Sequence, residues 1–214
     1  PFDYRTGIVD AAVHGIGRLV ADLPGDGGQQ ARFGASHDAR SGALARGLGA
    51  KASDIACDVR EEASVRNVVE AAEKEIDGID TLVYFAGLMR TGTIEAVEAE
   101  TWDAIFTVNA RGTFFAAKYG APALKRAGGG SFITTASLAG LRGAPGMTAY
   151  ASAKGAVIAF TTALAQELAP FSIRVNSVLP GWIDTPFNNP AIAHMGGVGP
   201  HAEVVKRIVP LGRQ

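Results

Sequence analysis

Residues 6–23, TGIVDAAVHGIGRLVADL, read as a short strand from Ile8 to Ala12, a turn through Gly15 and Gly17, and a helix beginning near Ile16. Glycine has no Cβ, so such a turn lets backbone N–H groups come close to an anionic group such as a phosphate, and the positive end of the following helix dipole favours the same charge. A strand that passes into a helix this way is the opening unit of a parallel α/β sheet. Pro24, in the following LPGDGGQQ, stops the helix early. Asp10 and Ala11 work against the anion site, since one brings a carboxylate towards it and the other a methyl group where backbone must approach.

The rest of the chain repeats the alternation. Ala31 to Ala35 reads as a second strand, followed by a helix rich in Ala, Arg and Leu, and ASDIACDV (52–59) as a third strand ending in Asp58 and Val59. In EEASVRNVVEAAEKEIDG (61–78), Val65, Val68, Val69, Ala72 and Ile76 recur at helical intervals, which predicts a helix covering one face of a sheet. DTLVYFAG (80–87) is a fourth strand, and the stretch from Thr101 to Gly128 one long amphipathic helix containing Asn109. GGGSFITTAS (128–137) supplies a fifth strand that delivers Ser137 to its carboxyl end, YASAKGAVIAFTTALAQEL (150–168) a helix, and Ile173 to Leu179 a sixth strand. Strands alternating with helices predict one domain over residues 1–214: a Rossmann-like, doubly wound parallel sheet with helices on both faces.

Composition agrees with a single α/β domain. The 214 residues are 47% hydrophobic and 19% charged, enough to bury one sizeable core. A net charge of -1 provides no global field to recruit nucleic acid or an anionic membrane. Cys57 is the single cysteine, so it has no disulfide partner within the chain and is expected to be a buried small hydrophobe in a reducing compartment. Pro1 to Val20 holds no charged-then-apolar leader and no run of about eighteen apolar residues occurs, so neither export nor a membrane span is expected and a cytoplasmic location is. His194 and His201 lack a spaced third ligand, and no metal site is expected.

The chemistry concentrates in SLAGLRGAPGMTAYASAK, residues 137–154. Tyr150 and Lys154 are four apart on a predicted helix, so their side chains leave the same face one turn apart. A phenol titrates near ~10, and an adjacent ammonium is expected to lower that value so that Tyr150 transfers protons nearer neutrality. Ser137 could hold a carbonyl oxygen while Tyr150 protonates it. Tyr and Lys at this spacing also occur on solvated helix faces; the added thirteen-residue interval from Ser137 to Tyr150 distinguishes this pair.

The Ser137, Tyr150 and Lys154 spacing resembles the active-site signature of the short-chain dehydrogenase/reductase family. The resemblance implies hydride transfer between a nicotinamide cofactor and a ketone or secondary alcohol. In that reading Ser137 positions the substrate oxygen and Tyr150 transfers the proton. Lys154 lowers the Tyr150 pKa and binds the nicotinamide ribose, and Asn109, in VNARG, bends its helix and supports a proton relay. Cofactor contacts implied in the same way are Gly15, Ile16 and Gly17 at the pyrophosphate, Asp58 and Val59 near the adenine, Ala86 and Gly87 at the ribose, and Pro180, Gly181, Ile183 and Thr185 at the carboxamide. Asp58 reads equally as a strand-end turn residue. The residue after the second strand, Ala35 or Ser36, is not acidic and is followed by His37 and Arg40, which favours NADP(H) over NAD(H), although a short shift in register puts Asp38 there instead.

Where the family shows Asn-Asn-Ala-Gly, this chain has Tyr84, Phe85, Ala86 and Gly87, losing asparagines that steady the central strands. Small residues on the 150–168 helix, with the Asn109 helix, suit either a homodimer or homotetramer surface or an internal packing face. Residues 186–205 read as a mobile substrate lid, and Leu88, Met147, Trp182 and Phe187 as a partly hydrophobic pocket for a small carbonyl or alcohol. The closing PLGRQ resembles the point at which relatives continue into a further helix and a seventh strand, so the sequence is expected to stop short of the full fold. Two other readings remain: a non-catalytic binding or scaffold protein on this fold, and a nucleotide-sugar epimerase or dehydratase.

Overall fold

Six parallel strands form one sheet in the order β3-β2-β1-β4-β5-β6. The computed structural model describes residues 6–9, 31–35, 52–75 and 78–213, with side chains at Ile55, 57–74 and 78–213. The strands are β1 (Thr6–Val9), β2 (Ala31–Ala35), β3 (Ala52–Ala56), β4 (Thr81–Tyr84), β5 (Gly130–Thr135) and β6 (Ile173–Val178). The chain steps outward from β1 to β3, returns to the centre at β4 and steps outward the other way, which is doubly wound topology with its switch point between β1 and β4. Register follows suit: Ile8 pairs with Phe33 on one side and Val83 on the other.

Three helical connections on the described side cover one layer. Helix α1 (Glu62–Glu75) buries Val65, Val68, Val69 and Ala72, the residues its periodicity picked out, while Ile76 lies outside the described residues. It packs on α3 (Gly112–Arg126), which in turn lies on β4 and β5. Helix α5 (Thr148–Leu168) packs on β6 and β5. The core between them is Leu82, Tyr84, Ile105, Leu124, Phe132, Leu168 and Ile173, with Cys57 buried as expected. A β4 strand of Leu82, Val83 and Tyr84, all buried, fits a central strand covered on both faces.

Three sequence expectations are corrected. The first strand starts at Thr6 rather than Ile8, and its continuation from Asp10 lies outside the described residues. The third strand ends at Ala56, before Asp58 and Val59, because the chain turns there into α1: the Glu61 N–H donates to the Asp58 carbonyl at 3.0 Å. The expected single helix from Thr101 is instead α2 (Ala99–Phe106), a π turn (Thr107–Arg111) and α3. At that turn the Gly112 N–H reaches Thr107 O, five residues back, and the Asn109 side chain donates to Ile105 O at 2.8 Å. The segment read as a mobile lid forms a short turn at Pro186–Asn188 followed by two helices, which we number after the short α4 (Ala139–Arg142): α6 (Asn189–His194) and α7 (Val198–Ile208). Pro190 stands in the first turn of α6, where its missing N–H leaves no bond unmade.

Candidate active site

Open parallel sheets bind ligands beyond the carboxyl ends of their strands. That edge here gathers Asp58 and Val59 after β3, Ala86 and Gly87 after β4, Ser137 after β5, and Pro180, Gly181, Ile183 and Thr185 after β6. The loop carrying Ser137 is folded back onto α5 through α4. Close approach makes this work: a Cβ on Gly140 would lie 2.8 Å from the Gly155 nitrogen and 2.9 Å from the Lys154 carbonyl carbon. The Ala139 N–H donates to Ser137 Oγ at 3.1 Å, and the Leu138 N–H to Pro180 O at 3.0 Å, so this loop and the segment after β6 hold one another.

Tyr150 and Lys154 stand in the first turns of α5, only 5% and 2% exposed. Lys154 Nζ donates to the Thr135 carbonyl at 2.8 Å and lies 5.7 Å from the Tyr150 ring centroid. Burial pushes the Tyr150 phenol up to about 12, opposed by a hydrogen bond with Ser137. Burial pulls Lys154 down to about 7. In this structure the group that lowers the phenol is Ser137. An amine taken out of water, with one neutral carbonyl for a partner among the described residues, is drawn towards its uncharged form.

Asn109 is fully buried and committed to backbone. Its Nδ2 donates to Leu88 O and Ile105 O, both at 2.8 Å, and its Oδ1 accepts the Leu88 N–H at 3.4 Å. It therefore ties the π turn to the segment leaving β4 and makes no side-chain bond to Tyr150 or Lys154. Gly87 faces Asn109 Oδ1 and the Phe187 ring, where a Cβ would meet them at 3.4 and 3.5 Å. Both Asp58 carboxylate oxygens are taken by the Arg60 guanidinium, at 2.6 to 3.1 Å, which holds the carboxyl below its ordinary range. Gly15, Ile16, Gly17 and Ser36, with Asp10, Ala11, His37, Asp38 and Arg40, lie outside the described residues.

Over the Tyr150 ring sits a second apolar cluster of Met89, Met147 and Ala191 with Trp182 and Phe187, the Phe187 and Tyr150 centroids 6.2 Å apart. Met147, Trp182 and Phe187 were anticipated; Leu88 belongs instead to the main core. Met89 and Ala191 were missed, since only the folding of α6 over the site places them there. Among the described residues no group of three potential metal ligands occurs, and no helix is long and apolar enough to cross a membrane.

Residues 5–196 match the short chain dehydrogenase family. The chain belongs to this family. Among its relatives is the cyclopentanol dehydrogenase of Comamonas testosteroni, 40% identical over 141 residues, which are 66% of this chain and 56% of that protein. The match thus spans little more than half the length of that dehydrogenase. A human 3-oxoacyl-(acyl-carrier-protein) reductase is 32% identical over 199 residues, 93% of this chain and 80% of that protein. Among solved structures, NAD+-bound xylitol dehydrogenase superposes with a TM-score of 0.80 at 26% identity, covering 86% of this chain and 76% of that one.

Proposed function

We propose that this chain is an oxidoreductase that moves a hydride between NADP(H), or NAD(H), and the carbon of a ketone or secondary alcohol. The observation that carries this reading is the gathering of Ser137, Tyr150 and Lys154 at the carboxyl edge of the sheet, with the phenol hydrogen-bonded to Ser137 and sheltered from water. The Ser137 hydroxyl holds the substrate oxygen, and Tyr150 gives up or takes the proton at its own hydroxyl as that oxygen gains or loses charge. Asn109 supports the relay by fixing the π turn beside α5. The residues present suit a dinucleotide: Lys154 has ammonium donors beyond the one spent on Thr135 O, and the Thr135 hydroxyl is buried without a partner. Lys154 would hold the ribose hydroxyls, Ala86 and Gly87 would flank that sugar, and Pro180, Gly181, Ile183 and Thr185 would meet the carboxamide. Gly15, Ile16 and Gly17 would take the pyrophosphate, Ser36 the ribose phosphate of NADP, and Asp58 and Val59 the adenine. When bound, the cofactor supplies the hydride.

The apolar cover of Met89, Met147, Trp182 and Phe187 suits a cyclic or aliphatic carbonyl, with cyclopentanone and 3-oxoacyl thioesters as the first compounds to try. The substrate enters beneath residues 186–205, the working enzyme is a cytoplasmic homodimer or homotetramer, and residues 1–214 act as one domain. A second reading, a non-catalytic binding protein, is favoured by two observations: the phenol lies at about 12, and Phe187 occupies the space beside Gly87. Fluorescence titration with NADPH and then NADH, with intact mass recorded on the same sample, separates the two. Saturable binding of either, followed by its consumption with a carbonyl from that panel, is the expected result. A folded chain of confirmed mass that binds neither sinks the oxidoreductase reading.

A further inference from the structure

Tyr84 is the last residue of β4, fully buried, and its hydroxyl donates to the Val108 carbonyl at 2.6 Å. Val108 lies in the π turn, where the helical ladder is displaced by one residue. Two other side chains serve the same turn, Asn109 Nδ2 on Ile105 O and Thr113 Oγ1 on Asn109 O at 2.6 Å. The phenol fits because residue 112 is glycine: a Cβ there would run into Tyr84 Oη and sit 3.1 Å from Cζ. Four residues beyond Tyr84, the Leu88 backbone binds Asn109 through both its N–H and its carbonyl. The end of β4 therefore grips the turn twice, once through a phenol and once through an amide, and the turn packs against α5, which bears Tyr150 and Lys154. Desolvation keeps the Tyr84 phenol well above its ordinary range, so it is a protonated donor at any working pH.

We propose that Tyr84 is a positioning residue: paired with Gly112, it sets the π turn at Val108 and thereby the placement of Asn109 against α5. In this chain a phenol from the sheet does the steadying that its missing asparagines would have done. The kinetic part of this inference rests on the oxidoreductase reading; the structural part does not.

Hydrogen exchange and steady-state kinetics on wild type, Tyr84→Phe, Gly112→Ala and the double variant test it. Tyr84→Phe deletes one oxygen and keeps the ring. Loss of one buried hydrogen bond is expected to speed exchange of the amides in 107–113 by about five- to tenfold, with α5 amides unchanged. A kcat loss of about the same size should accompany it, with KM for the cofactor unchanged. Gly112→Ala, which drives the hydroxyl off Val108 while leaving Tyr84 in place, should reproduce the kcat loss. The double variant should be no worse than Gly112→Ala alone, because the oxygen that the new methyl would strike is gone. Unaltered exchange in Tyr84→Phe overturns the proposal, as does faster exchange with wild-type kcat. If exchange responds as expected but wild type consumes no reduced nicotinamide with any carbonyl, the oxidoreductase reading fails and the role of Tyr84 in holding the turn stands.

Discussion

The molecule contains two neighbouring tyrosine and lysine pairs whose surroundings drive them in opposite directions. On the outer face, Lys118 and Tyr119 of α3 share the Glu62 carboxylate of α1, and hydrogen bonding to that carboxylate raises both their pKa values. At the carboxyl edge of the sheet, Tyr150 and Lys154 have no carboxylate partner among the described residues. Burial dominates, lifting the phenol to about 12 against a hydrogen bond with Ser137 and dropping the amine to about 7. The exposed pair is electrostatically satisfied, and screening by water and salt leaves it little to do. The buried pair is left short of partners in a place where a ligand's hydroxyls and a developing alkoxide could supply them. Unmet demand of this kind, more than the residue types themselves, marks the site.

The sharpest way to break this contrast is to delete the two phenols in turn. Tyr150→Phe should lower kcat by about 10² to 10⁴, the usual worth of a positioned proton donor, with the circular dichroism of the fold unchanged. Tyr119→Phe should leave kcat at the wild-type value. Equal activity in the two variants would remove Tyr150 from the reaction.

The lysines differ in how they couple stability to pH. Lys154 titrates near 7 in the folded chain and near ~10.4 when unfolded, so between those values the unfolded state binds the extra proton. Its contribution to stability must then rise with pH across that window, by up to about 1.4 kcal/mol per pH unit, and its penalty is complete below pH 7. Lys154→Met should flatten that slope in denaturant titrations at pH 7, 8 and 9. A variant whose midpoints rise with pH as steeply as wild type would show that Lys154 keeps its charge in the folded state, through partners other than Thr135 O.

Sequence made one side of this contrast legible and hid the other. The six strands announce themselves as short apolar runs between glycines, and the four-residue interval from Tyr150 to Lys154 places both side chains on one face of α5 whatever surrounds them. Their protonation is not legible there, because it depends on dielectric, which is set in part by Met89, Met147, Trp182 and Phe187 arriving from three separate segments. A bend at Asn109 was expected, but its form as a π turn was not: beside the local bonds of Asn109 and Thr113, those that hold it come from Tyr84 and Leu88, some twenty positions away. Helices α6 and α7 were hidden by their glycine, proline and histidine content, which resembles a loop until His201 and Val205, four apart, are seen buried on one face.

The smallest expected effect tests whether the outer pair is as idle as its exposure suggests. Lys118→Met removes the ammonium from Glu62 but leaves the Tyr119 hydroxyl on the same oxygen, so the carboxylate keeps a donor. Tyr119 is half-buried, but the two charged groups are open to solvent, where ions compete for the same charges over about 10 Å at ordinary salt. Thermal unfolding of Lys118→Met at low and at high salt should therefore give a midpoint indistinguishable from wild type at high salt, with any difference confined to low salt. Because the folded-state value of Lys118 is raised, whatever it contributes is fully present at neutral pH and fades only as pH climbs through that raised value, so the slope between pH 7 and 9 should match wild type. A salt-independent loss would mean that the lysine stem steadies α3 itself by packing along Phe114 and Tyr119, and the comparison would then rest on shape rather than charge.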